Sequence, residues 1–570
     1  MYKSIRNFRQ GLFLTTETDE MPDGSLLRAR GVSPLNYGRS RPGSNLIHNL
    51  DAHSIVRFNN IVHSGVGTAF YRALSSIKTG LSGDRLSFAS MPPTSGVVDY
   101  LFVAGGGELF KVDSSGNVTA WGIEKPSSDP SAAVGAAGNL TGTYKYLITF
   151  QNITTGHRSL PNDNEATATP TSQKVDLSSI PTSSDSQVTR REIWRTLAGG
   201  TIFFRLDTID DNTTTTYTDD IVDADLEDTE LPYDNIVPYD FFDDCAGPHN
   251  ASMFWITRSE SGKRGRLYYS AIGRPEAMAG FVDVTGDDDP LQKIVFGNGF
   301  LVVFSESRCF QILGTNPYAA RELAHVPGTS KPHTVAVTSG GALYEANDGV
   351  RLLQGLQAPL VSFEPIGRLF RNENLGSLNA FSGVVAVYAR DEYIISDTSQ
   401  TIALNILKGT WRDLGIGCNA FHYASDADII YANLNNRIVD LEKAGTVDDA
   451  GASINFELEP RHLLLSIDKK AVVQWVHIEG ITQDESFTVT LILDGVEIPL
   501  GSFSATATGA KKYGTFKWGD GTKYGFRSRT ATFNVNKKGH IAGVRISGTV
   551  SAQVEIFAVT LDAYIPSESQ

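Results

Sequence analysis

The chain has 570 residues and a formal net charge of −15, with 41% hydrophobic residues, 54 glycines and three cysteines. That length exceeds what one hydrophobic core can serve and predicts about three domains. The acidic balance argues against tight nucleic-acid binding, whose affinity comes from Lys and Arg neutralising phosphates, and is compatible with DNA that slides past an acidic wall.

The first residues, MYKSIRNFRQGLFL, lack the continuous apolar core of a signal peptide, and no run approaches 18 apolar residues. A soluble chain retained in the cytoplasm where it is made, with no membrane insertion, is expected. Residues 1–48 read as short extended segments broken by turns. Asn7-Phe8-Arg9-Gln10-Gly11-Leu12 is followed by the turn Asp19-Glu20-Met21-Pro22-Asp23-Gly24, then Arg28-Ala29-Arg30-Gly31-Val32 and Gly38-Arg39-Ser40-Arg41-Pro42-Gly43. Such a piece suits an outer strand that closes a propeller ring with strands from the far end of the chain.

Beyond residue 50, long helical patterns are nearly absent, and runs of four to six alternating residues are separated by turns such as Gly297-Asn298-Gly299, Ser305-Glu306-Ser307 and Asn347-Asp348-Gly349. Period-two alternation with such breaks predicts antiparallel hairpins, each with one buried face. Hairpin centres near Glu306, Asp348, Asp391 and Asn435 are spaced by roughly 42, 43 and 44 residues, the repeat of a four-stranded propeller blade. A centre near Ser261 lies about 45 residues earlier, and two more near Val66 and Gly106 are roughly 40 apart. The step from Gly106 to Ser261 spans about 155 residues, so a domain of about 110 residues is inserted between two blades. An all-β protein follows: a β-propeller of six or seven blades, with closing strands and first blades in 1–130, an inserted β-sandwich in 131–234 and the remaining blades in 235–446. Residues 447–570 have longer strands and no such period, and are expected to form a C-terminal β-sandwich.

The insertion carries VTRREIWRTLAGG, with a buried-looking Trp194 and a late Tyr217 before Asp219-Asp220. Cys245, Cys309 and Cys418 lie far apart, in no metal-ligand spacing, and read as free thiols of a reducing compartment, Cys309 in a strand core.

Catalytic readings find little support. Leu407-Lys408-Gly409-Thr410-Trp411 ends like a sialidase box, but the Asp position holds Ile406, or Asn405 if shifted by one, and a turn stapled by a packed Trp accounts for it. Asp287-Asp288-Asp289 after Gly286 could offer oxygens to a cation, yet no ligand ladder follows. Asp243-Asp244 with Cys245 and His249 lie beside a Gly-Pro break, as a surface loop would. Gly105-Gly106-Gly107 lacks the Lys-Ser/Thr of a phosphate loop and sits inside a hairpin. No catalytic, cofactor-binding or metal-binding residue is assigned, no cofactor is expected, and the protein is not expected to be an enzyme.

The opening of the chain, from Asn7 to Gly43, resembles that of tailed-phage structural proteins, above all the nozzle family of short-tailed phages (tail tubular protein B, or packaged-DNA stabilisation protein). Gln10 stands where a second Gly is usual, and Gly31 where Asn is usual. Arg266-Leu267-Tyr268-Tyr269-Ser270 with Arg274-Pro275-Glu276, and Gly340-Gly341-Ala342-Leu343-Tyr344 with Asp348-Gly349-Val350, resemble the same propellers, and the matches cover most of 240–445. Arg191 to Gly200 is similar to a phrase of the fibronectin type III-like modules inserted into phage tail proteins; Arg158 replaces a commonly acidic residue after Gly156, which leaves a charge pair at that corner open. The resemblance implies a virion protein assembled in the host cytoplasm: a distal tail nozzle, a homo-oligomer expected as a hexamer, joined to a portal–adaptor ring and to tail fibres or spikes. Its DNA channel would retain the packaged genome and pass double-stranded DNA on ejection without binding it specifically, along a wall that includes Asp287, Asp288 and Asp289. The alternatives are a receptor- or glycan-binding propeller of a virion tail tip and a glycan-cleaving enzyme, which a hydrolase assay and a monomer glycan-affinity assay separate from a nozzle.

Overall fold

The architecture is that of a computed structural model, which describes all residues except 7, 15–20, 34–35, 93–98, 106–107, 298–299, 363–365, 372, 374–377, 483–484, 505–528 and 567–570. The turn residues Asp19, Glu20, Gly106, Gly107, Asn298 and Gly299, and Asn7 of the opening motif, lie outside the described residues. The fold is all-β, and its described residues divide into two compact units, Phe58–Ala324 and a second made of Met1–Arg57 with His325–Gln570.

In the first unit, sheets with the up-and-down strand order of propeller blades follow one another. One contains Ile61–Val66, Ala69–Arg72 and Ser75–Thr79, and the next runs Ser87–Met91, Tyr100–Gly105, Glu108–Val112, Val118–Ala120. After the insertion come Asp244–His249, Ser252–Ile256, Arg266–Ala271, Arg274–Asp283, and then Leu291–Gly297, Phe300–Ser305, Arg308–Gly314, Tyr318–Pro327, in the last of which the unit ends. Alternation suggested one buried face per hairpin, but the second strand of a blade is dry on both. Ser252–Ile256 is buried at every position, because neighbouring blades cover both faces of the sheet. Continuous runs such as Met253-Phe254-Trp255-Ile256 are the sequence trace of that double burial.

The insertion is a sandwich of a three-stranded sheet (Ser131–Thr141, Thr171–Ser178, Tyr217–Asp219) and a four-stranded one (Ala166–Ala168, Tyr144–Gln151, Arg190–Thr196, Phe203–Ile209). Leu140, Tyr146, Ile148, Val175, Leu177 and Ile193 fill the space between them. Trp194 is fully buried on the other face of the second sheet, under Leu231 of the returning chain, and its Nε1 donates to Thr149 Oγ1 at 2.9 Å. The module meets the blades through a small apolar group, Ile123, Phe150 and Val188. Replacing residues 131–231 by a short Gly/Ser linker is therefore expected to leave a folded protein, since loop closure costs only ~0.6 kcal/mol per doubling of length. Soluble expression with an unfolding midpoint near that of the intact chain is the expected result, and insolubility counts against an autonomous module.

In the second unit, three more blades follow: Ala336–Thr338, Gly341–Ala346, Gly349–Leu353; then Val385–Ala389, Glu392–Ser396, Thr401–Asn405, Thr410–Asp413; then Cys418–Ala424, Ile429–Leu434, Arg437–Asp440. The last is completed by Asn45–His48, which pairs antiparallel with Arg437–Asp440 in the manner of a closing outer strand. Seven blade sheets are present among the described residues. The sequence spacing marked one of them at the wrong hairpin: Asp391 lies between the first and second strands of its blade, whereas the other centres lie between the second and third. The even spacing survived because the connection before this blade is long and the connections within it are short.

The earlier N-terminal strands do something different. Tyr2–Ile5 pairs with Glu555–Tyr564, and Ser25–Arg30 lies between Gly11–Leu12 and Ile454–Pro460. Thus the 1–30 stretch belongs with the C-terminal sandwich rather than with the blades that follow it, and it carries one continuous sheet from the blade strand Thr410–Asp413 to the sandwich strands Ile454–Pro460, Ile541–Val550, Phe487–Leu493 and Val496–Phe503. The facing sheet runs Tyr2–Ile5, Glu555–Tyr564, Ala471–Ile481, Arg529–Gly539, and Val473, Val476, Val489, Leu491, Ile546 and Leu561 pack between the two.

Candidate functional site

The residues that stood out in the opening motif converge on one clasp in the second unit. Gly31 adopts φ +64°, and a Cβ there would sit 2.1 Å from the Asn455 carbonyl oxygen. Gly43 is needed for closeness rather than for its dihedral, since a Cβ would lie 2.0 Å from the Asp448 oxygen. At both points the N-terminal chain presses directly on backbone more than 400 residues away, which only glycine permits.

The arginines of the motif meet carboxylates. Arg41 is 2% exposed; its Nη1 donates to Asp449 Oδ1 at 3.0 Å, its Nη2 to Oδ2, and its Nε to the Leu414 carbonyl at 2.8 Å. Arg30 donates to Asp413 Oδ2 at 2.9 Å, and Arg28 pairs with Glu457 and Glu459, which Arg545 also meets. At the centre lies Arg412, fully buried, which spends all five N–H donors: two on Glu392, two on Glu442 and one on the Val32 carbonyl, at 2.6 to 3.0 Å. Burial pushes the Glu442 carboxyl up, but the Arg412 guanidinium outweighs it and the net shift is downward. The sequence showed the arginines; it could not show Glu392, Glu442 and Asp449 as their partners, because no local pattern marks them.

The constellations weighed for catalysis are structural. Asp287 accepts from the backbone N–H of Gly262 at 3.0 Å and of Arg264 at 3.1 Å, and the Arg264 side chain holds its pKa down to about 2. Asp289 is buried and accepts from Ser305, Ser307 and Arg308, tying the Ser305–Arg308 turn. Of the three acidic residues, Asp288 is exposed to solvent, Asp287 is half-buried and Asp289 is buried.

Asp244 is not in a surface loop but in the core, accepting from Lys293 Nζ at 2.7 Å, from the Ile294 N–H at 3.1 Å and from Ser87 Oγ. Beside it the Cys245 thiol is pushed well up by burial, the opposite of an activated nucleophile. Cys309 and Cys418 are likewise buried free thiols, the latter pushed up to about 12 by burial. Asn405, which holds the shifted sialidase position, caps its own turn by accepting from the Lys408 N–H at 3.0 Å, and Trp411 is fully buried. Gly105 ends a hairpin strand opposite Glu108. Among the described residues, no group of three His, Cys, Asp or Glu is placed to hold a metal ion, and no helix is long and apolar enough to cross a membrane.

In the first unit the phrases likened to phage modules are also spent on packing. Arg191 donates to Asp211 and the Pro181 carbonyl, Arg195 to Asp219 and Asp223, and Arg158 pairs with Glu192 while lying 5.3 Å over the Trp194 ring. Arg274 grips Asp234 and Asn235, and the fully buried Glu276 pairs with Lys111 and accepts from the Gly122 N–H.

Near that pair sits His157, 1% exposed, with neither ring nitrogen bonded to protein; burial lowers its pKa to about 4. Burial lowers His63 to about 4 as well. Both are neutral in the fold and titrate near 6.5 once unfolded, so the stability they contribute is whole above pH ~6.5 and falls as the pH drops towards 4. The loss is on the order of 3 kcal/mol per histidine at the acid end. Urea titrations of this unit's unfolding at pH 7.5 and pH 5 are expected to show that slope, with His157→Gln reducing it; equal midpoints at both pH values would contradict the dry setting of the two rings.

No family model matches the sequence, and a search of curated proteins finds no match. The solved structures it is similar to include YCF48 bound to D1 peptide, at 11% identity and a TM-score of 0.25 over 56% of this chain and 97% of that one. They also include the extracellular domain of the putative one-component system BT4673 from B. thetaiotaomicron, at 12% identity and 0.26 over 86% and 80%, and the Neurospora crassa Pan2 WD40 domain, at 8% and 0.22 over 70% and 94%. Identities and TM-scores this low transfer no activity to this chain. The class, an all-β propeller protein with an inserted sandwich, stands on the strand order itself.

Proposed function

We propose that the protein is a structural virion component, the distal nozzle of a short-tailed phage tail, acting as a homo-oligomeric ring around a DNA channel. The observation that carries this reading is the clasp. Every glycine and arginine argued above from the opening motif is used to lock the first 48 residues onto the segments between Thr410 and Tyr564, so that the two ends of the chain are held together by strand pairing and buried ion pairs. That is the demand on a part that holds a pressurised genome, and the resemblance of the same residues to nozzle openings points the same way. The charge of −15 per chain, multiplied around a ring, suits passage of DNA without adhesion.

The test is assembly. Purified protein mixed with portal–adaptor complexes should join them as a ring of defined mass, six copies being expected, seen by mass measurement and low-resolution imaging. Its affinity for linear duplex at physiological salt should be near or weaker than ~10⁻⁴ M. A monomer that ignores portal–adaptor complexes, or submicromolar salt-sensitive DNA binding, overturns the reading.

A further inference from the structure

We propose that the solvent face of the C-terminal sandwich sheet is a binding site for a neutral oligosaccharide. The strand register places Tyr2, Asp562, Trp475 and Asn534 in one row across the four strands, and Ser4, Thr560, His477 and Thr532 in the next. The alternate residues Val476, Ile478, Val559 and Leu561 point into the core, so these two rows face solvent. Tyr2 is 73% exposed and Trp475 36%, although Ala471–Ile481, which carries Trp475, is an interior strand of its sheet.

Strand preference alone accounts for an aromatic residue on a sheet. It does not account for a carboxylate between two aromatics, with an amide, an imidazole and a ladder of hydroxyls around them. Two strand spacings separate Tyr2 from Trp475, about 10 Å, a distance spanned by two linked pyranose rings. The C–H face of a pyranose stacks on an aromatic ring, while its vicinal hydroxyls need paired acceptors and donors of the kind that Asp562 and Asn534 supply.

The second row is ordered in advance. Thr560 Oγ1 donates to Ser4 Oγ at 2.9 Å, and His477 Nδ1 is 2.9 Å from Thr532 Oγ1, leaving His477 Nε2 without a partner among the described residues. The charges of the two rows are met on the face itself, Asp562 Oδ1 lying 3.8 Å from the Met1 ammonium and Arg6 Nε donating to Ser4 Oγ at 3.3 Å, which leaves the aromatic pair to an uncharged chain.

The proposal is independent of the nozzle reading and is tested on the full chain. Calorimetric titration would use neutral gluco-, galacto- and manno-configured trisaccharides, with a sialylated trisaccharide as the acidic control. At least one neutral trisaccharide should bind, the sialylated one should not, and Trp475→Ala should weaken binding by roughly tenfold or more. Because Trp475→Ala could disturb the sheet, Asn534→Ala, an exposed change on the edge strand, is a second variant expected to weaken binding while leaving the unfolding curve in place. Absence of binding to every neutral trisaccharide, or affinity unchanged in both variants, overturns the proposal.

Discussion

Arg412→Met is expected to cost the Met1–Arg57/His325–Gln570 unit about 3–5 kcal/mol at neutral pH, the loss typical of breaking a buried ion pair from one side. The methionine fills most of the volume but leaves the Glu392 and Glu442 carboxylates in a dry core without their shared guanidinium. The pH dependence separates this cause from a packing defect. In the intact protein Glu442 titrates below its ordinary value, so its contribution is present above pH ~4.5 and is lost only as the pH falls below that. In the variant, burial without compensation favours the protonated acids, so its deficit should shrink between pH 8 and pH 5. Adding Glu392→Gln and Glu442→Gln should recover part of the loss, because amides in those places carry no charge to strand. Urea unfolding of the intact protein, the single variant and the triple variant at both pH values measures this; a loss below about 1 kcal/mol at pH 8 would show that the network contributes little.

Removing residues 1–31 should be worse than any single substitution, with the chain recovered mainly as aggregate. The deletion takes out Ser25–Arg30 from the middle of a sheet and exposes the backbone edges of Thr410–Asp413 and Ile454–Pro460, which are templates for intermolecular pairing. It also uncovers core around Leu12, Leu26 and Ala29, each at most 1% exposed. Leu26→Ala isolates one part of that loss and should cost about 2–5 kcal/mol, depending on how far the site collapses. Differential scanning calorimetry of the fraction that stays soluble is the measurement. Loss of one transition with the Phe58–Ala324 transition intact is the expected trace, and a full-length-like trace for the deletion would show that the N-terminal strands are ornamental.

The contrast with the inserted module is physical. The 131–231 module has its own sheets and its own core, so its residues are satisfied locally. The first 31 residues satisfy one another chiefly where Gly11–Leu12 runs beside Ser25–Arg30; their other strand pairings and their ion pairs run to positions 410–564. Excision is expected to be tolerated in one case and destructive in the other, although the excised module is the longer piece.

What the sequence by itself determined follows from short-range forces. Alternating Val, Ile, Phe and Tyr between Gly, Asn and Asp turns dictates antiparallel hairpins, because side chains repeat every two residues and tight turns need particular dihedrals. The blade repeat, the insertion after the Gly106 hairpin, and Cys309 as a free thiol in a strand core were legible on those grounds, whereas the burial of Cys245 and Cys418 was not. Tertiary structure alone decided that Asp391 marks a different hairpin from Asn435, since both read locally as polar turns between apolar runs. It decided that Asp244 is a core group bonded to Lys293 and that Asp289 ties a turn, since a carboxylate's role depends on which cation or N–H the fold brings to it. It also decided that Arg41 and Arg412 answer Asp449, Glu392 and Glu442, and that Tyr2 comes to lie beside Asp562 in a row with Trp475. An ion pair or a cross-strand row depends on distance in space, and no periodicity along the chain encodes a partner some 400 to 560 positions away.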